Sequence, residues 1–198
     1  MFKLPIDKLD ALFAAVASAS TLYLPVDGND GRASYKKWSE GTKMSKALNT
    51  VRSAKDFFFP QTQNLCDFNV KGQNIEIIDN RTESEDFVVF GVRACDARSF
   101  TILDKVFLAD PVDSYYATRR EHGTIVTMAC TEPEENCFCG VFGIDAAAPE
   151  GDAACWTTEN AVYIQANTEK GEKFIESVKS LPVSYTHLRA HETRGNLV

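Results

Sequence analysis

The chain has 198 residues, of which 44% are hydrophobic and 25% charged, enough to bury one core without covalent staples. A formal net charge of -7 and a pI near 5.0 argue against a dedicated nucleic-acid binder, which would carry a basic face. No apolar run approaches the roughly 18 to 20 residues that span a bilayer, and six cysteines are too sparse for a disulfide scaffold.

The first element expected is an amphipathic helix over residues 6–19, with Ile6, Leu9, Phe13 and Val16 on one face. Its segment "ALFAAVASAS" imitates a signal peptide, but Asp7 and Asp10 stand where a positive region belongs, so a cytoplasmic protein is expected. "TLYLPV" reads as a short strand ended by Pro25 and the turn-rich "DGNDG". Residues 33–50 are polar and weakly patterned, and read as loop with a little helix. "DFFFPQ" sets Phe57, Phe58 and Phe59 against Pro60 as an aromatic plug for the core, and "NIEIID" is a strand.

"DFVVFGV", residues 86–92, is a continuous apolar run of the kind found in buried parallel strands. "CDARSFTILDKVFL" then predicts a helix with Asp96 as N-cap. A second helix is expected from Asp110-Pro111 to Gly123, and "GTIVTMAC" is a second buried strand. Strand, helices and strand imply a right-handed crossover with the two strands parallel. "CWTTENAVYIQA" suggests a hairpin around Glu159-Asn160, and "TEKGEKFIESVKS" a helix capped by Thr168. The fold class is therefore α/β: a single domain, residues 1–182, around a mixed, partly parallel sheet with crossover helices and a cysteine-rich loop at the strand carboxyl ends.

Residues 183–198, "VSYTHLRAHETRGNLV", change character abruptly, and their start resembles the conceptual translation of a sequencing adaptor. The expectation is a non-native tail on a truncated protein. His187 and His191, although spaced i, i+4, are excluded as metal ligands on that ground.

Four cysteines converge in this scheme. Cys95 follows the first parallel strand and Cys130 ends the second, so both reach one edge of the sheet, where open α/β sheets place ligands. The loop carrying Cys137 and Cys139 leaves from the same edge. A disulfide across Cys137-Phe138-Cys139 would need a strained turn, since two residues of extended chain span about 7 Å. Sulfurs that far apart suit a bulky cluster better than the C-x₂-C bite of zinc, and Phe138 between them can shield a cluster. Soft thiolates suit iron–sulfur clusters or zinc, and four complete either site. A helix N-terminus near Cys95, with Arg93 and Arg98 beside it, would favour thiolates, although both arginines also read as an ordinary salt-bridge face. Cys66 and Cys155 read as small buried hydrophobes, and His122 as a partner of a helix C-terminus. The intervals between the four cysteines, 34, six and one intervening residues, match no general metal motif. Iron–sulfur, zinc and a Cys137/Cys139 redox pair all stay open on the residues alone.

The stretch "FGVRACDARSFTILDKVFLADPVDSYYATRREHGTIVTMAC", followed by "ENCFC", resembles the iron–sulfur β subunit of soluble hydrogenases (sulfhydrogenases). It is also similar to the A subunit of anaerobic sulfite reductase. The shared pattern is G-V-x-x-C-D, I-L-D, Y-Y-x-x-R-R-E, a cysteine ending the next strand, and C-F-C. "TLYLPV" and "KDFFFP" match upstream, and the likeness runs over roughly residues 4–178. It implies an electron-transfer subunit working between a flavin subunit that handles a nicotinamide nucleotide and a catalytic redox subunit. It further implies that Cys95, Cys130, Cys137 and Cys139 bind one [4Fe-4S] cluster. The family's ferredoxin-like C-x₂-C-x₂-C-x₃-C motifs are absent here. A zinc-stabilised interaction module is the alternative from another class.

Overall fold

A computed structural model describes residues 1–79, 81, 85–179, 181 and 184–185. Its main sheet has eight strands in the order β10-β1-β9-β8-β7-β6-β2-β3. In chain order these are β1 (Phe2–Pro5), β2 (Thr21–Asp27), β3 (Ala33–Lys37), β6 (Phe87–Arg93), β7 (Gly123–Met128), β8 (Ala153–Thr157), β9 (Ala161–Ala166) and β10 (Ser184–Tyr185). The middle of the sheet, β2, β6, β7 and β8, is parallel; the flanking pairs are antiparallel. The remaining strands, β4 (Cys66–Lys71) and β5 (Asn74–Asp79), form a separate hairpin.

Helices cover both faces, as a buried parallel centre requires. On one face α1 (Leu9–Ala19) and α4 (Glu169–Ser177) pack over the sheet, with Leu12, Phe13, Val16, Phe174 and the sheet's Leu22, Phe90 and Ile164 in one cluster. The signal-like segment is thus a helix whose apolar face lies in the core. On the other face α2 (Ala94–Phe107) and α3 (Ser114–His122) close around Phe58, Phe100, Tyr116 and Ile125. Among the described residues no helix is long and apolar enough to cross a membrane.

The parallel crossover from β6 to β7, the 158–160 turn between β8 and β9, and the Thr168 cap of α4 agree with the sequence reading. Four local expectations are corrected. The strand expected to stop at Pro25 runs on to Asp27. Proline has no N–H, and β2 pairs with β6 only through Tyr23, while its other edge continues against β3. Residues 33–37, read as loop, are that edge strand; Ser34, Lys36 and Lys37 hid it because an edge strand need not be apolar. Helix α2 starts one turn early, with Arg93 at the N-cap position. Asp96, inside the first turn, instead accepts hydrogen bonds from Ser53 Oγ at 2.7 Å and Lys55 Nζ at 3.1 Å. Helix α3 begins after Asp113, whose carboxylate accepts from the Tyr115 and Tyr116 amides at 3.0 Å, rather than at Asp110-Pro111.

The aromatic plug is graded rather than uniform. Phe58 is fully buried, Phe57 half-buried, and Phe59 exposed and stacked on Phe107. Burying Phe58 is worth about 1.5–3 kcal/mol. It also explains Gly123, because a Cβ there would lie 2.3 Å from the Phe58 ring and 2.6 Å from Phe87. The tail expected to be adaptor-derived, with His187 and His191, lies outside the described residues apart from Ser184–Tyr185, whose backbone pairs with β1.

Candidate metal centre

The carboxyl ends of β6 and β7 sit side by side, with Arg93 paired to Met128. From there the chain places one cysteine on each path out. Cys95 lies in the first turn of α2, and Cys130 lies two residues past β7. Backbone bonds fix the loop that follows. Cys130 N–H donates to Ala146 O at 2.9 Å, Cys137 N–H to Glu134 O at 3.0 Å, and Ile144 N–H to Cys139 O at 2.9 Å. Cys139 opens a 3₁₀ turn that ends at Gly143, whose φ of 63° is the left-handed region that favours glycine.

All four sulfur-bearing residues selected from the sequence line one cavity of about 410 Å³, together with Leu48, Asn49, Arg93 and Ile144. Cys130 and Cys139 are half-buried, while Cys95 and Cys137 are exposed. Among the described residues no three His, Cys, Asp or Glu side chains stand close enough to grip a single metal ion. The thiols surround a space instead of meeting at a point.

Two N–H groups already point at sulfur. Arg93 Nη1 donates to Cys130 Sγ at 3.9 Å, and the Glu134 amide to Cys137 Sγ at 3.3 Å. Burial pushes the Cys95 thiol up, with the Asp96 carboxylate and the Cys139 sulfur adding to it. Burial likewise pushes Cys130 up; Arg93 pulls the other way but does not win. Cys95 and Cys130 are therefore less acidic than the helix N-terminus and arginines suggested. Like charges gathered around one cavity oppose ionisation until a cation enters. An all-sulfur donor set, N–H donors to sulfur and room between the thiols fit a thiolate-held cluster.

Arg98 turns away to Glu150, at 2.7 Å, so only Arg93 faces the sulfurs. Phe138 is 62% exposed and shields nothing. Cys155 is fully buried in the core between β7 and β9, and burial raises its thiol to about 12, as suits an inert side chain. Cys66, expected in the core, is instead exposed on β4. His122 closes α3 as expected, and its ring also bonds the Asp86 carboxylate at 2.7 Å.

Sequence reasoning missed the segment that roofs the cavity. Ser45, only 2% exposed, donates its backbone N–H to Pro25 O at 2.7 Å and its hydroxyl to Asp27. That anchor brings Leu48 and Asn49 over the cysteines, and Asn49 donates to the Glu134 carboxylate. No periodicity marks residues 43–50, so nothing in the pattern could have placed them.

The remaining residues of the resemblance pattern serve packing. Arg120 meets Asp104 through two bonds of 2.8 and 2.9 Å, Tyr116 donates to the same carboxylate at 2.6 Å, and the guanidinium lies over the Phe58 and Phe100 rings. The I-L-D and Y-Y-x-x-R-R-E segments thus lock α2 to α3 behind the site.

The chain matches no protein-family model and no solved structure. It is similar to a curated protein, Sulfhydrogenase 2 subunit beta of Pyrococcus furiosus, with 32% identity over 126 residues. Those residues are 64% of this chain and 36% of that protein, so the match spans little more than a third of the relative's length.

Proposed function

We propose that residues 1–182 are the cluster-bearing N-terminal part of an iron–sulfur electron-transfer subunit, with Cys95, Cys130, Cys137 and Cys139 holding one [4Fe-4S] cluster. The observation that carries the proposal is the shared cavity at the carboxyl ends of β6 and β7, lined by these four cysteines. Likeness to a protein named as a hydrogenase β subunit supports the same reading. When bound, such a cluster supplies one-electron transfer and no bond chemistry. The chain's own part is to hold four thiolates, to direct the Arg93 and Glu134 N–H groups at two of them, and to cover them with the Leu48–Asn49 segment.

On this reading the partners are a flavin subunit that handles a nicotinamide nucleotide and a catalytic subunit of hydrogenase or sulfite reductase type, in the cytoplasm. Further clusters would belong to parts of the longer relative that this chain does not match.

The test is substitution under anaerobic conditions. Cys95→Ser is expected to lose most of the bound iron and the broad visible absorbance, while Cys66→Ser keeps both. Equal iron in the Cys95→Ser and wild-type chains would remove the proposal. Zinc in place of iron in the wild type would favour the interaction-module reading, and a colourless protein with dithiol activity would favour a redox pair.

A further inference from the structure

Arg93 is half-buried where β6 meets α2, and each of its nitrogen contacts is to a neutral or sulfur acceptor. Nη2 donates to Ala47 O at 2.9 Å. Nη1 lies 3.5 Å from Ala129 O and 3.9 Å from Cys130 Sγ. Among the described residues no carboxylate lies within ion-pair distance of it, whereas Arg98 is paired with Glu150, Lys55 with Asp96 and Arg120 with Asp104. Burying part of a guanidinium without a counter-ion costs free energy, and an anion reaching it would offset that cost. Arg93 and all four cysteines line one cavity; the Glu132 and Asp145 carboxylates line it too but lie beyond ion-pair distance of the guanidinium, whereas the Cys130 sulfur is within its reach.

We propose that Arg93 is the resident counter-charge of the thiolate site, and that it sets the reduction potential of the cluster held there; this rests on the iron–sulfur reading above. A cubane on four thiolates is net negative, and reduction adds one more electron. A fixed cation donating to a ligand sulfur therefore stabilises the reduced form more than the oxidised form. Arg93 is a positioning residue: it acts through Cys130 and through the roof segment that it holds by Ala47 O. Its placement at the strand end explains why it, and not Arg98, has this role. The side chain of a strand's last residue can point along the sheet edge, whereas Arg98 has already turned away on α2.

The test compares iron-loaded 198-residue chains: wild type, Arg93→Met and Arg93→Lys. Each is titrated anaerobically with the cluster's paramagnetic resonance signal as readout, alongside iron and sulfide content. Arg93→Met is expected to move the midpoint to more negative potential at unchanged iron content, and Arg93→Lys to restore most of the shift, because lysine keeps the charge. If Arg93→Met loses iron while Arg93→Lys keeps it near the wild-type potential, the counter-charge role also stands. Equal potentials in loaded wild type and Arg93→Met would overturn the inference while leaving the cluster intact. Loss of iron in both variants would overturn it in favour of a purely structural clamp. A wild-type chain that takes up no iron removes the cluster reading and this inference together, before any variant is compared.

Discussion

Asp104 shows how much of the pattern around the cysteines is architecture. Burial alone would raise its carboxyl, yet the hydrogen bonds from Arg120 and Tyr116 outweigh that and hold it below the usual carboxylate range. A folded-state value below the unfolded one, near 3.9, contributes stability that is present above about pH 4 and is lost as pH falls through the folded value. Thermal unfolding of Asp104→Asn is therefore expected to lose part of the wild type's acid dependence, while its iron content is unchanged. An unaltered pH dependence would remove this role. Asp152 supplies a second buried anchor, accepting from the Ile125 amide and the Thr168 hydroxyl at 2.8 Å each. Its carbonyl is also why residue 171 is glycine: a Cβ there would fall 1.9 Å from Asp152 O, which is backbone and cannot swing aside. Gly171→Ala is expected to destabilise by about 1–3 kcal/mol or more by overpacking, measured as a lowered denaturation midpoint.

At the scale of elements, β6 was legible as a continuous apolar run and β7 as a mostly apolar one, because a parallel strand is buried on both faces, and that signal needs no partner to be seen. Their order also made the meeting of Cys95 and Cys130 deducible. The elements that escaped are those whose reason lies elsewhere in the fold. Strand β3 is half polar because it is an edge, and residues 45–49 are held by a serine bonded to β2 rather than by any repeat. Helix α2 started early because Asp96 is engaged by Ser53 and Lys55, partners 43 and 41 residues away. The β4–β5 hairpin carries the largest contrast between pattern and environment. Phe68, Val70, Ile75 and Ile77 share one face by register, and each is between 59% and 72% exposed. Replacing Phe68 and Ile77 together by serine should change the unfolding free energy by less than about 1 kcal/mol, since exposed sites contribute little. A loss of several kcal/mol would mean that the face is covered within the chain.

Over the whole molecule, helices on both faces of the eight-stranded sheet leave its carboxyl edge as the place where three separate segments meet: the start of α2, the loop after β7 and the roof from residue 45 to 49. This topology makes one cavity from Cys95 and Cys130, 35 residues apart in the chain, and from the loop that follows. The residues that fix α2 against α3, and β7 against α4, lie behind the sulfurs and do not touch them. The expectation follows that the Cys95→Ser chain still folds, with wild-type-like secondary structure by circular dichroism, even as its iron is lost. Collapse of the spectrum would show that the site is needed to build the domain.

The most direct test is to reconstitute the 198-residue wild-type chain with iron and sulfide without oxygen, and to count both alongside zinc. About four irons and four sulfides per chain are expected, with broad visible absorbance that dithionite bleaches. A colourless chain holding one zinc, or no metal at all, would contradict the iron–sulfur reading.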